Sequence, residues 1–95
     1  MAIGVLILQV QLPGCKSLKE KRGRIKPLLA RLHREFNLSV AELDRQDIWD
    51  EASIGCVMIS NQHKFTESSL QSVISWVNKN WPDVTLIDDH IEIIN

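Results

Sequence analysis

Residues 2–12 read AIGVLILQVQL, an apolar run closed by Pro13 and Gly14. β-branched residues and leucines at this density predict a strand, and the Pro-Gly pair that follows is a turn signal. Gly4, Leu6, Leu8, Val10 and Leu12 fall on one side of that strand, and Ile3, Val5 and Ile7 on the other. Apolar side chains on both faces place it inside a sheet rather than at the edge. Residues 52–60, ASIGCVMIS, repeat the pattern and predict a second inner strand.

The remaining elements follow from periodicity. Ser17 with Glu20 three residues later fits a capping box, and Leu18, Ile25, Leu28, Leu29, Leu32 and Phe36 recur on one helical face, predicting a helix over 17–36. Pro27 lies inside it. Proline deletes a backbone hydrogen bond and presses on the carbonyl four residues back, so a kink is expected there, eased by the missing side chain of Gly23. After a turn at Asn37, residues 38–46 carry Leu38, Val40, Ala41 and Leu43 among acidic residues, the pattern of an outer strand. Asn61 is a candidate N-cap for a second helix reaching Asn80, with Leu70, Val73, Ile74 and Val77 on its stripe, Trp81 continuing it and Pro82 ending it. Residues 84–94 alternate as a fourth strand, with Val84, Leu86 and Ile94 expected on one side and Ile87, Ile91 and Ile93 on the other.

The order strand, helix, strand, strand, helix, strand predicts an α+β, ferredoxin-like βαββαβ domain over residues 1–95. Right-handed crossovers put both helices on one face of a four-stranded antiparallel sheet, with the first and third strands central. The opposite face is then uncovered although the central strands are apolar there too, and a homodimer through that open face is the simplest cover.

Composition agrees with one compact domain. The chain has 95 residues, 44% hydrophobic and 24% charged, enough for a core without metals or disulfides. Met1 to Leu8 has no basic flank, cleavage site or sufficient length to act as a signal peptide or membrane span. Two lone cysteines suit a reducing compartment, so the expected location is cytoplasmic.

The net charge of −1 conceals an asymmetry. Residues 1–34 hold Lys16, Lys19, Lys21, Arg22, Arg24, Lys26, Arg31 and Arg34 against Glu20 alone, a net of +7, which leaves −8 for the rest. Lys16, Lys19, Lys21, Arg22, Arg24 and Lys26 crowd the start of the first helix, where the macrodipole disfavours cations. Together with free backbone N–H groups they form a candidate site for a phosphate or a nucleic acid. On the helical wheel Lys21 and Arg22 flank the apolar stripe, Lys19 and Lys26 share a side, and Arg24 and Arg31 lie nearly opposite. The competing expectation is a solvated helix that pairs with Glu20, Glu35 and acidic strand ends.

The same segment, Pro13-Gly14-Cys15-Lys16-Ser17-Leu18-Lys19-Glu20-Lys21-Arg22, carries a family resemblance. With Ser39-Val40-Ala41-Glu42, Gln46-Asp47-Ile48-Trp49 and Ser60-Asn61, it resembles the YlxP-like family of small bacterial proteins, grouped as a domain of unknown function. The resemblance spans essentially the whole chain. It implies a ferredoxin-like fold, and often a gene among those for translation and ribosome assembly, near initiation factor two and ribosome-binding factor A.

Other residues carry weaker signals. Asp44, Asp47, Asp50 and Glu51 match no metal-loop spacing and read as a solvated acidic turn. Cys15, Cys56, His33, His63 and His90 form no metal-ligand pair, and Cys15 has no base partner, so no metal, cofactor or catalytic residue is expected. Phe65 and Trp76, with Ser69 and Ser72 between them, form a candidate strip for a protein contact. Trp49 is expected to pin its turn to the sheet, and the strands carry no aromatic set of the kind that RNA-recognition motifs use. The leading expectation is a non-enzymatic RNA- or ribosome-associated protein that contacts phosphates through its first helix. The alternative is a dimeric module that binds a protein or senses a small anion.

Overall fold

The computed structural model describes residues 1–43 and 47–95. The elements run β1 (Ala2–Gln11), α1 (Leu18–Glu35), β2 (Ser39–Glu42), β3 (Glu51–Ser60), α2 (His63–Asn80) and β4 (Thr85–Ile94). They form one sheet in the order β2-β3-β1-β4, all neighbours antiparallel, with β1 and β3 central. This is the ferredoxin-like α+β arrangement.

Pairing fixes which side chains share a face. Leu6 stands opposite Cys56 and Ile91, and Leu8 opposite Ile54, so these residues point together toward the helices. The core consists of Leu6, Leu8 and Val10 of β1, Ala52, Ile54 and Cys56 of β3, Ile25, Leu28 and Leu32 of α1, and Leu70, Val73 and Val77 of α2. α1 packs toward β2, and α2 toward β1 and β4. Gly4 allows α2 to come close: a Cβ there would strike Thr66 Cγ2 and stand 2.8 Å from Leu70 Cδ1.

Several boundaries differ from the sequence expectation. α1 starts as predicted, with the Ser17 hydroxyl accepting from the Glu20 N–H at 3.1 Å, and the assigned helix continues through Pro27. α2 begins one residue later than an Asn61 N-cap would place it, and its N-cap Gln62 makes no side-chain capping bond. β2 ends at Glu42, although the Leu43 N–H still bonds the Ser53 carbonyl at 2.7 Å; the expected remainder, 44–46, lies outside the described residues.

β4 does not alternate as expected. A bulge shifts its register between Gln9 and Val10, so Leu86, Asp89, Ile91 and Ile93 share the helix side with Leu8 and Leu6. Ile94 lies opposite Ile3 on the other side, and Ile87 is the exposed surplus residue. That other side is the open face of the sheet. Ile3, Val5 and Ile7 are half-buried there, with Val57, Ile59 and Ile94 exposed around them.

Candidate nucleic-acid interface

Three loops meet at one end of the sheet. Antiparallel order brings the β1–α1 turn, the β2–β3 loop and the α2–β4 turn to the same end, and polar contacts fasten them together. The Leu12 N–H donates to the Asp50 carbonyl at 2.9 Å. Arg24 donates to the Pro13 carbonyl at 2.9 Å and to the Asp83 carbonyl at 2.6 Å, and its Nε sits 2.9 Å from the Asp83 carboxylate. That carboxylate raises the Arg24 pKa further above its ordinary value. Lys21 donates to the Ile48 carbonyl at 2.7 Å and pairs with Glu42 at 2.9 Å.

Two of the six candidate cations are thereby removed from an outside ligand. Lys21 is only 1% exposed. The reason is its place on the wheel: Lys21, Ile25, Leu28 and Leu32 follow the spacing of the core-facing stripe, so Lys21 sits on that stripe rather than beside it. Arg24 is committed to the two turns that it bridges. Arg31 pairs with Glu35 at 3.3 Å and lies 5.4 Å above the Trp76 ring. Intramolecular pairing thus accounts for these three cations.

The helix N-terminus is capped by the chain's own side chains. Ser17 caps Glu20 as predicted, and the Glu20 carboxylate returns not to the Ser17 N–H but to the Lys16 N–H one residue earlier, at 2.6 Å. The Lys16 hydrogen bond, followed by one from the Cys15 thiol, holds the Glu20 carboxyl below its ordinary range. Two backbone donors at this helix start, those of Lys16 and Glu20, are therefore engaged by the chain itself.

What remains is a lateral surface. Lys16, Lys19, Arg22 and Lys26 are exposed and make no ion pair among the described residues, and the same holds for Arg34. At 100° per residue, Lys19, Arg22, Lys26 and Arg34 span about 120° of the outer side of α1. Gly23 and Ala30 lie between them with little side chain. Arg34 was not singled out in the sequence; its position on the wheel of Lys19 and Lys26 was the available signal.

The aromatic residues separate in an unexpected way. Phe65 is 56% exposed, as a contact residue requires. Trp76, its intended partner, is half-buried, edge-on to Phe36 at 6.2 Å and stacked on Trp81 at 6.0 Å. Trp49, expected to pin its turn, is instead 51% exposed. The Leu12 N–H and the Lys21 ammonium hold that loop by its backbone carbonyls, which leaves the indole at the surface.

Residues 3–91 match the family model described as "Protein of unknown function (DUF503)". The chain belongs to this family. DUF503 membership agrees with the YlxP-like resemblance, since a relative in Bacillus subtilis (strain 168), "Uncharacterized protein YlxP", is 37% identical over 68 residues. That match covers 72% of this chain and 73% of the relative. It shows kinship within the DUF503 family and carries no activity with it. Among the described residues of this DUF503 chain, no helix is long and apolar enough to cross a membrane.

Proposed function

We propose that the chain is a non-enzymatic RNA- or ribosome-associated protein of the cytoplasm that contacts phosphates through the outer side of α1. The observation that carries this reading is the row of exposed cations, Lys16, Lys19, Arg22 and Lys26 with Arg34, that no carboxylate among the described residues neutralises. Such a row attracts a polyanion through phosphate charge with little regard to sequence. The kind of gene neighbourhood that the family resemblance implies supports RNA as that polyanion. The alternative is a dimeric module that binds a protein or senses a small anion; against a compact anion at the helix end stands the Glu20 carboxylate, which already accepts the Lys16 N–H there.

The test is equilibrium binding to structured ribosomal RNA over a salt series. Four neutralised phosphates give a slope of log K against log salt of roughly −3. The combined variant Lys19→Glu, Arg22→Glu, Lys26→Glu is expected to abolish this binding with its melting temperature retained. Salt-insensitive binding, or binding unchanged in the variant, removes α1 as the contact surface.

The same reading includes a homodimer through the open face. Val5, Ile7, Ala41, Leu43, Gly55 and Val57 border an apolar depression of about 210 Å³ there, and Ile59 beside it is 63% exposed. Light scattering at micromolar concentration is expected to give twice the 10.9 kDa chain mass, and Val57→Lys to give the single mass. A monomeric parent protein rejects the dimer and leaves the RNA reading standing.

A further inference from the structure

The proposed phosphate surface does not explain Trp49. An exposed indole gains nothing by burial, yet the loop that carries it is held at two points: the Lys21 ammonium on the Ile48 carbonyl at 2.7 Å, and the Leu12 N–H on the Asp50 carbonyl at 2.9 Å. Lys21 is buried, so its bond fastens the loop to the body of α1 rather than to a swinging side chain. Arg22 adjoins Lys21 in the chain and is one of the exposed cations, while Trp49 adjoins Ile48. One short hydrogen bond therefore ties the aromatic loop to the N-terminal end of the helix that carries the cations.

Beside the indole is a surface cavity of about 280 Å³, bordered by Asp47, Ile48, Trp49 and Asp50. Its two carboxylates repel phosphate and accept hydrogen bonds from exocyclic amino groups of bases. The charges are thus arranged in two zones: cations on α1 for a phosphate backbone, and an aromatic wall with acceptors for a base. The other tryptophans offer no such platform. Trp76 has Arg31 over its ring, Trp81 stacked on it and Phe36 at its edge.

We infer that Trp49, held at the N-terminal end of α1 by the Lys21–Ile48 hydrogen bond, is a stacking platform for an unpaired base of a nucleic acid whose backbone lies on α1. This rests on the reading of α1 as the phosphate surface and specifies the ligand further: a strand with at least one base out of a helix. A fully paired duplex offers phosphates but no free base face, so it uses α1 without Trp49.

The experiment compares a 12-nucleotide single-stranded RNA of mixed sequence with its blunt duplex, at one low salt concentration, using the full chain. The parent protein is expected to prefer the single strand and to lose tryptophan fluorescence on binding it. Trp49→Ala is expected to weaken single-strand binding about five- to a hundredfold and duplex binding less than twofold. Trp49→Phe, which keeps a ring, should retain most of the single-strand affinity. Equal effects of Trp49→Ala on both forms, small or large, would overturn the stacking platform and leave the α1 surface intact. Failure of the parent protein to bind either form overturns both.

Discussion

Lys21 and Glu42 meet 2.9 Å apart beneath the first turns of α1, an ion pair between the core-facing side of the helix and the helix-facing side of β2. The Lys21 side chain is almost wholly shielded and that of Glu42 is 16% exposed. The most cationic segment of the chain thus spends one of its charges inside the fold. Removing one member leaves the other charge in a poorly hydrated place, so Lys21→Ala is expected to cost about 3 kcal/mol in urea unfolding. The pair Lys21→Met with Glu42→Gln should recover much of that loss, because neither residue then carries charge.

The outer cations should behave differently. Lys19→Gln and Lys26→Gln are expected to lower RNA affinity with melting temperatures unchanged. Arg24→Gln should lower the melting temperature, since it releases Pro13 and Asp83 together. Calorimetry and filter binding on the same three variants separate the two roles.

Two glycines predict opposite responses to the same added methyl group. Nothing lies within 4 Å of a Cβ at Gly23, so Gly23→Ala should stabilise the exposed helix by about 0.5–1 kcal/mol. A Cβ at Gly4 drives into Thr66 and Leu70, both buried, and Gly4→Ala should cost about 1–3 kcal/mol by forcing α2 off the sheet. Chemical denaturation of both variants reads the two signs.

Glu20 predicts a pH dependence at the helix start. Its folded pKa lies below the ordinary 4.5, chiefly through the Lys16 N–H, so its contribution is complete above 4.5 and disappears as pH falls through the folded value. Parent protein and Glu20→Ala should therefore differ in urea midpoint at pH 7 and converge in strongly acid solution.

Burial pushes the Cys56 thiol up to about 12. The thiolate is the nucleophile, so Cys56 should resist iodoacetamide at pH 8 in the folded protein and react once urea unfolds it. Mass mapping of the alkylated peptide reports this directly.

The fold was legible because β1 and β3 are apolar on both faces and Ser17 with Glu20 marks the start of α1, signals that depend only on nearby residues. The site was less legible. Lys21 shares its stripe with Ile25, Leu28 and Leu32, but a charged residue in that series reads as surface until Glu42 and the Ile48 carbonyl are known to lie opposite it. Arg24 likewise needs Asp83, 59 residues away, to show its role. Trp49 is a large apolar residue between acidic neighbours, and local sequence favours tucking it in. Only the bonds from Leu12 and Lys21 show that the loop is fastened by its backbone instead.

The β4 bulge has a consequence of another kind. With Ile87 as the surplus residue, Leu86 stands opposite Val10 and faces inward, while the residues from Asp88 onward keep their own alternation. Deleting Ile87 removes no core side chain and no paired residue: Leu86 stays opposite Val10 and faces inward, Asp88 stays opposite Gln9 and faces outward, and the two become neighbours in an unbroken ladder. A loss of one residue at this place is therefore absorbed by the strand, whereas the loss of a paired residue such as Asp89 or His90 would force part of β4 to change sides.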